Sequence, residues 1–268
     1  MSAVAEILVM GGVHGNEPLG MALVRSLKED RIEGVDALIA NERAAEQGVR
    51  FIDNELSYDS VPGRGSYEDT RFSEVCEEAK PYSLILDIHN VEEPGTFEAW
   101  MYEPTDRLKN PVRWLMQKAG IHHAIKTPED WALYNLLQQT VTLEIGMPAE
   151  NYDGWEKAQI KKWRSILTEM TEIGLDNLRP ESWSSATCMY LESAGSVDRA
   201  QAKQAGIEQS PILQRYDRIP DDVARALQLE PGLRVQTWNY NNMSKPIPGA
   251  NGEREYWGSY ARDIAAFL

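Results

Sequence analysis

The segment Val9-Met10-Gly11-Gly12-Val13-His14-Gly15-Asn16-Glu17-Pro18-Leu19-Gly20 places three glycines, a histidine and a glutamate within seven consecutive residues, Gly11 to Glu17. Its flanks decide its setting. Val4 to Met10 is an apolar run of strand length, and Leu19, Leu23, Val24 and Leu27 share one face of a helix. The glycines therefore lie where a strand must turn sharply into a helix, and they let the backbone approach a ligand closely. His14 and Glu17, three residues apart, can aim an imidazole nitrogen and a carboxylate oxygen at one point ~2 Å from each, which is half of a zinc site.

Val35 to Asn41 reads as a second strand, so the chain opens strand, helix, strand. Such alternation predicts a parallel sheet covered by helices. Asn41 to Gly65 is polar and turn-rich, the composition of a long functional loop. A helix is expected from Arg71 to Lys80, then strands ending at His89 and spanning Thr96 to Tyr102. Pro111 to Gly120 reads as a helix with proline in its first turn and glycine at its end. Thr140 to Gly146 is a β-branched strand, and Gly154 to Gly174 a long amphipathic helix. Character changes near Leu178-Arg179-Pro180-Glu181. Beyond it follow strand-like Ala186 to Glu192, helix-like Pro220 to Gln228 and strand-like Gly232 to Tyr240. Residues 1–182 are expected to form the sheet domain and 183–268 a smaller, mostly β domain.

The chain has four histidines. Leu84-Ile85-Leu86-Asp87-Ile88-His89-Asn90 ends an apolar strand at His89, and strands of such a sheet deliver their carboxyl ends to a shared crevice. His14 and His89 can meet there. His122 and His123 open a short stretch after a helix, where no such placement follows. The expected ligands of one Zn2+ per chain are His14, Glu17 and His89, with an open position for water as in catalytic sites. The two rings must then bring their nearest nitrogens within about 6 Å.

Zinc acidifies its water and polarises a carbonyl. Hydrolysis also needs a carboxylate that takes the water's proton and hands it to the leaving nitrogen. Glu144, a lone charge in Val-Thr-Leu-Glu-Ile-Gly, is the candidate, its pKa raised by burial; the alternative is a strand-end residue facing water. Arg50, in the long loop, can face the oxyanion, with Arg43 as a competitor. Asp87, two residues before His89, points to the same side of the strand and can orient that ring.

Net charge is -15, which argues against nucleic acid or anionic membrane surfaces as partners. Hydrophobic residues make up 42%, enough for a proper core. Cys76 and Cys188 give no disulfide framework, and neither a leader-like start nor an apolar run near 18 residues occurs. The expectation is a soluble, cytoplasmic protein in a reducing compartment. Assembly into a homo-oligomer is left open.

Gly12-Val13-His14-Gly15-Asn16-Glu17, Asp87-Ile88-His89-Asn90 and Leu143-Glu144-Ile145-Gly146 resemble, in order and spacing, the aspartoacylase and succinylglutamate desuccinylase family of the zinc carboxypeptidase-like superfamily. The resemblance implies an α/β fold with a mixed, largely parallel central sheet flanked by helices, and a smaller β-rich C-terminal domain shielding the zinc cleft. It matches His14, Glu17 and His89 to the metal ligands, Glu144 to the proton-shuttling carboxylate and Arg50 to the arginine that polarises the scissile carbonyl. Tyr260, in Tyr260-Ala-Arg-Asp-Ile-Ala-Ala-Phe267, matches a tyrosine that reaches the substrate. Two positions depart from the family. Glu55-Leu56-Ser57-Tyr58 stands where Asp-Leu-Asn-Arg is usual, and Tyr134 stands where aspartoacylase has a second carboxylate-binding arginine. Serine and tyrosine cannot reproduce a bidentate arginine fork. Asn90, Tyr58, Tyr134 and Tyr260 are the expected substrate contacts; the anion clamps are removed, and Tyr58, Tyr134, Trp100 and Trp131 suggest a more aromatic, less anionic pocket, the alternative being that they are core residues.

The function expected is a zinc amidohydrolase cleaving an N-acyl amino acid or related small amide. A carboxypeptidase-like zinc peptidase is the alternative among hydrolases, and a metal- or small-molecule-binding protein without turnover the alternative outside them.

Overall fold

A computed structural model of the chain describes residues 5–57, 60, 64–91, 96–101, 104–126, 133, 136–148, 150–181, 188–198, 204, 218–219, 221–238 and 256–263. The chain divides into two compact units, Met1–Met189 with Ala266–Leu268, and Tyr190–Ala265.

In the first unit, strand β1 (Ile7–Gly11) leads into helix α1 (Pro18–Glu29) and strand β2 (Val35–Ile39). Helix α2 (Glu42–Gln47) and helix α3 (Tyr67–Ala79) precede β3 (Leu84–Val91) and β4 (Phe97–Met101). Helix α4 (Asp106–Ala119), strands β5 (His123–Lys126) and β6 (Thr140–Gly146) and helix α5 (Tyr152–Ile173) complete it. The sheet order is β2-β1-β3-β6-β4-β5. β2, β1, β3 and β6 run parallel to one another, while β4 is antiparallel to β6 and parallel to β5. The sheet is thus mixed and mostly parallel.

Burial follows position in that order. β1 is buried along its whole length and β3 at all but its last residue, whereas edge strand β2 alternates. A strand covered by helices on both faces reads as an unbroken apolar run, which is what makes Ile7-Leu8-Val9-Met10 and Leu84-Ile85-Leu86 so uniform. On one face Phe72, Val75 and Cys76 of α3 pack with Leu8, Met10 and Ile85. Leu56 joins this cluster at 0% exposure, so the loop ahead of α3 is anchored in the core. α1 lies against β1, β2, β3 and α5.

Four elements differ from the reading above, the first being α3, which starts at Tyr67 rather than at Arg71. The polar stretch after β2 contains α2, capped by the Asn41 side chain accepting from the Ala44 N–H at 3.3 Å. α4 starts at Asp106, so Pro111 lies inside the helix rather than in its first turn. Proline has no N–H to give the Arg107 carbonyl four residues earlier, but its side chain is buried and the helix continues to Gly120, whose φ of 74° ends it. His123 opens a short strand.

The second unit contains β7 (Met189–Asp198) from its second residue on, helix α6 (Asp221–Ala226), β8 (Arg234–Trp238) and β9 (Tyr256–Asp263), with β9 antiparallel to both β7 and β8. Among the described residues no helix is long and apolar enough to cross a membrane.

Candidate metal and catalytic site

The turn between β1 and α1 depends on glycine at two points. Gly12 has a φ of 70°, a conformation that side chains resist. A Cβ on Gly15 would fall 2.1 Å from the Ala44 carbonyl carbon, so α2 can close over the turn only if residue 15 has no side chain. The turn delivers His14 and Glu17 to the carboxyl end of β1, and β3 delivers His89 beside them.

Glu17 occupies the N-cap position of α1 but makes no cap hydrogen bond. Its carboxylate is used elsewhere. Oε1 lies 2.5 Å from His14 Nδ1, and Oε2 lies 2.9 Å from His89 Nδ1 and accepts the Asn90 N–H at 3.1 Å. The cap falls to Asn90, whose Oδ1 accepts the Leu19 N–H at 2.8 Å while its Nδ2 donates to the Ile145 carbonyl at 3.5 Å. One asparagine thus ties α1, β3 and β6 together at the site.

The two Nδ1 atoms are 3.2 Å apart, and the candidate ligand atoms of His14, Glu17 and His89 all lie within 4.8 Å of one another. Each ring has its other nitrogen against a carboxylate. His14 Nε2 is 2.5 Å from Glu55 Oε1, and His89 Nε2 is 2.8 Å from Asp87 Oδ2. A carboxylate there holds the proton on Nε2 and turns the Nδ1 lone pair toward the centre. A tetrahedral ion with bonds of ~2.0–2.1 Å needs ligand atoms roughly 3.3 Å apart. The donor set, its spacing and its carboxylate backing fit a single divalent cation such as zinc.

Electrostatics point the same way. Burial opposes charge on Glu17, yet His14 and His89 outweigh it and hold the carboxyl well below its ordinary range. Burial likewise lowers the pKa of His14, but Glu17 and Glu55 bring it above the usual value. His89 is raised further by Asp87 and Glu17, again against burial. The pocket is built for positive charge.

Glu144 neighbours His89 across β3 and β6. Desolvation pushes its pKa up to about 7, with Glu17 and Glu98 adding to the rise and His89 and His14 opposing it. A carboxyl poised there can both accept and return a proton near neutral pH. Arg50 stands at the rim with its side chain 37% exposed, donating from Nε to Glu55 Oε2 at 3.0 Å. Its Nη2 is 3.0 Å from His14 Nε2, and its carbonyl accepts the Gly15 N–H at 3.1 Å. Arg43 stacks over the Tyr67 ring at 4.6 Å. Tyr58, Tyr134 and Trp131 lie outside the described residues, and so does the side chain of Tyr260, whose backbone belongs to β9.

Two carboxylates in this region were not assigned roles from the sequence. Glu55 links His14 to Arg50, and Ser57 Oγ donates to it at 3.3 Å. Glu68, at 0% exposure, accepts the N–H groups of Ile52 at 2.7 Å, Asp53 at 3.0 Å and Asn54 at 3.4 Å, and the Asn41 side chain at 3.1 Å. The apolar Leu56, fully buried where Val49 nearby is exposed, is a signal that this loop docks and that Glu55 beside it is buried.

No family model matches the chain. An N-acyl-aromatic-L-amino acid amidohydrolase (carboxylate-forming) of Xenopus tropicalis is 32% identical over 106 residues, which are 33% of this chain and 34% of that protein. The match therefore spans about a third of the curated relative's length. A succinylglutamate desuccinylase from Chromobacterium violaceum superposes with a TM-score of 0.67 at 16% identity, covering 98% of this chain and 86% of that one. Murine aminoacylase 3 superposes with a TM-score of 0.54 at 16% identity, covering 97% and 89%. The fold is that of the aspartoacylase and desuccinylase structures, as the three motifs implied.

Proposed function

We propose that the chain is a zinc-dependent amidohydrolase that cleaves an N-acyl amino acid, with His14 Nδ1, His89 Nδ1 and a Glu17 oxygen holding the metal. When bound, zinc supplies Lewis acidity toward a carbonyl oxygen and toward water. The residues do the rest. Glu144 takes a proton from water, the water oxygen bonds to the carbonyl carbon, and the oxyanion that develops is met by the Arg50 guanidinium. As the C–N bond breaks, Glu144 returns its proton to the leaving nitrogen, giving a carboxylate and an amine. Glu55 and Asp87 keep both rings turned so that their Nδ1 lone pairs face inward.

The observation that carries this reading is the pairing of two carboxylate-backed imidazoles with a half-buried acid whose pKa is about 7. The substrate favoured is an N-acyl amino acid with an uncharged, aromatic side chain. Its support is twofold: the name borne by the Xenopus relative, and the loop Glu55-Leu56-Ser57. There Ser57 is fully buried, donates to Glu55 and offers no anion clamp. The zinc-loaded protein should hydrolyse N-acetyl-phenylalanine or N-acetyl-tyrosine well ahead of N-acetylaspartate or N-succinylglutamate. Preference for the dicarboxylates would overturn the substrate assignment. Stoichiometric zinc with no turnover of any N-acyl amino acid would leave a binding protein instead.

A further inference from the structure

β2 closes one side of the sheet and, among the described residues, pairs only with β1. Bonds at its two ends fix which backbone groups that pairing uses. The Ile7 N–H donates to the Gly34 carbonyl at 3.2 Å, and the Ala40 N–H donates to the Gly11 carbonyl at 2.9 Å. Residues facing a parallel neighbour alternate with residues facing away. Gly34 and Ala40 face β1, so Asp36 and Leu38 do as well, and Val35, Ala37 and Ile39 turn their N–H and C=O groups outward. The Val35 N–H donates to the Ile32 carbonyl at 3.1 Å, and the Ile39 carbonyl accepts from Arg71 Nη2 at 3.3 Å. That leaves the Val35 carbonyl, both groups of Ala37 and the Ile39 N–H without a partner among the described residues. A cavity of about 400 Å³ runs along them, lined by residues 35–38 and flanked by Arg31 and Tyr82.

These groups are symmetric about Ala37: an acceptor at Val35, a donor and an acceptor at Ala37, a donor at Ile39. Turned end for end, the set is its own complement. In an antiparallel pair centred on Ala37, the two Ala37 residues exchange both bonds, and each Ile39 N–H donates to the other Val35 carbonyl. The side chains agree. Leu38 packs with Phe72 of α3, so Val35, Ala37 and Ile39 lie on the other face. There Val35 meets Ile39 and Ala37 meets Ala37, apolar pairs that favour the contact. On the α3 face the exposed Asp36, which accepts from the Tyr82 hydroxyl at 2.8 Å, comes beside Leu38 of the other copy. The next carbonyl along is the one Arg71 holds, so an acid approaches a guanidinium. β2 also lacks the usual guards of a sheet edge: it has no proline, a single charge and an unbroken register. We propose that β2 is a self-pairing edge, to which β2 of a second copy of this chain adds antiparallel about a two-fold axis at Ala37. The proposal goes beyond the hydrolase reading and does not depend on it.

The test combines sedimentation of the full chain with amide hydrogen exchange at residue resolution. A dimer should form as concentration rises, and the Ala37 and Ile39 amides should then exchange at least about tenfold more slowly than in dilute protein. The Asp36 and Leu38 amides, bonded to β1, should be protected at both concentrations. Ala37→Pro removes an N–H that points away from β1, a place where a strand tolerates proline, and should leave a folded monomer. Ala37→Lys repeats the test without proline: like charges then face each other across the axis, while an equal mixture of Ala37→Lys and Ala37→Glu should pair again. Open Ala37 and Ile39 amides at every concentration overturn the proposal, whether or not the chain dimerises. So do slow amides in a monomer, since another part of the chain would then cover the edge. A dimer undiminished in both Ala37→Pro and Ala37→Lys overturns it as well, because the copies would then meet elsewhere.

Discussion

Glu55 serves three partners with one carboxylate, His14 Nε2 at 2.5 Å, Arg50 Nε at 3.0 Å and Ser57 Oγ at 3.3 Å. Burial would raise its pKa, but His14 and Arg50 hold it down to about 2. Glu55→Gln should therefore loosen the His14 ring and release Arg50 together. Losing a carboxylate behind a ligating histidine typically weakens metal binding about 10–100-fold, a loss that competition with a chelator would measure; undiminished affinity would show that His14 is oriented by something else. Glu144 supplies a second prediction. Its folded pKa, about 7, lies above the 4.5 of an unperturbed glutamate, so its burial opposes folding once the pH rises above 4.5 and does so fully above 7. Glu144→Gln should abolish hydrolysis while keeping zinc. It should also raise the thermal midpoint of the metal-free protein at pH 8 and leave it nearly unchanged at pH 4. Equal midpoints at pH 8 would place Glu144 in water. The approach of His14, Glu17 and His89 was legible in the sequence because each follows a recognisable apolar strand. Glu55 was not, because the apolar Leu56 beside it hints at docking of the loop without marking the acid's partners.

The loop from Arg50 to Ser57 owes its shape to another element. Glu68, in the first turn of α3, gathers three successive N–H groups of that loop and the Asn41 amide. Asp53 returns the favour by accepting the Tyr67 N–H at 2.9 Å, and Ser66 and Asp69 form a capping box beneath both. Arg50 and Glu55 are therefore held by α3, with Leu56 as the apolar anchor. Glu68→Gln should keep the helices, as far-ultraviolet dichroism would show, yet speed hydrogen exchange at the amides of residues 52–54 and lower kcat. Unchanged protection there would mean that the loop is held by Leu56 alone. Expecting α3 from Arg71 missed this, since Ser66-Tyr67-Glu68-Asp69 reads locally as a cap and says nothing of a distant loop. Pro111 misled for a related reason: proline marks a first turn only when tertiary packing does not carry a helix through it. The parallel strands, by contrast, could be read directly, because burial on both faces leaves long apolar runs.

Across the molecule a net charge of -15 surrounds a centre where Glu17, Glu55, Asp87 and Glu144 stand around two imidazoles. Without a cation, protons fill that role. The pKa values of His14 and His89 are raised despite burial, because the carboxylates outweigh desolvation. A histidine whose folded pKa exceeds its unfolded value of about 6.5 contributes stability that is complete below that value and disappears as pH rises through the folded pKa. The metal-free protein should thus weaken on the alkaline side. A bound cation must displace the same protons, so its affinity grows as they become easier to remove. The two trends act together: the gap in thermal midpoint between zinc-loaded and chelator-treated protein should widen from pH 6 to pH 9. With metal at ~1,000 times its dissociation constant the gain is about 4 kcal/mol, or roughly 10 °C for a domain near 190 residues. A gap that is constant or narrows toward pH 9 would mean that the imidazoles carry no extra protons in the absence of metal, and that the carboxylates around them act on something other than a cation.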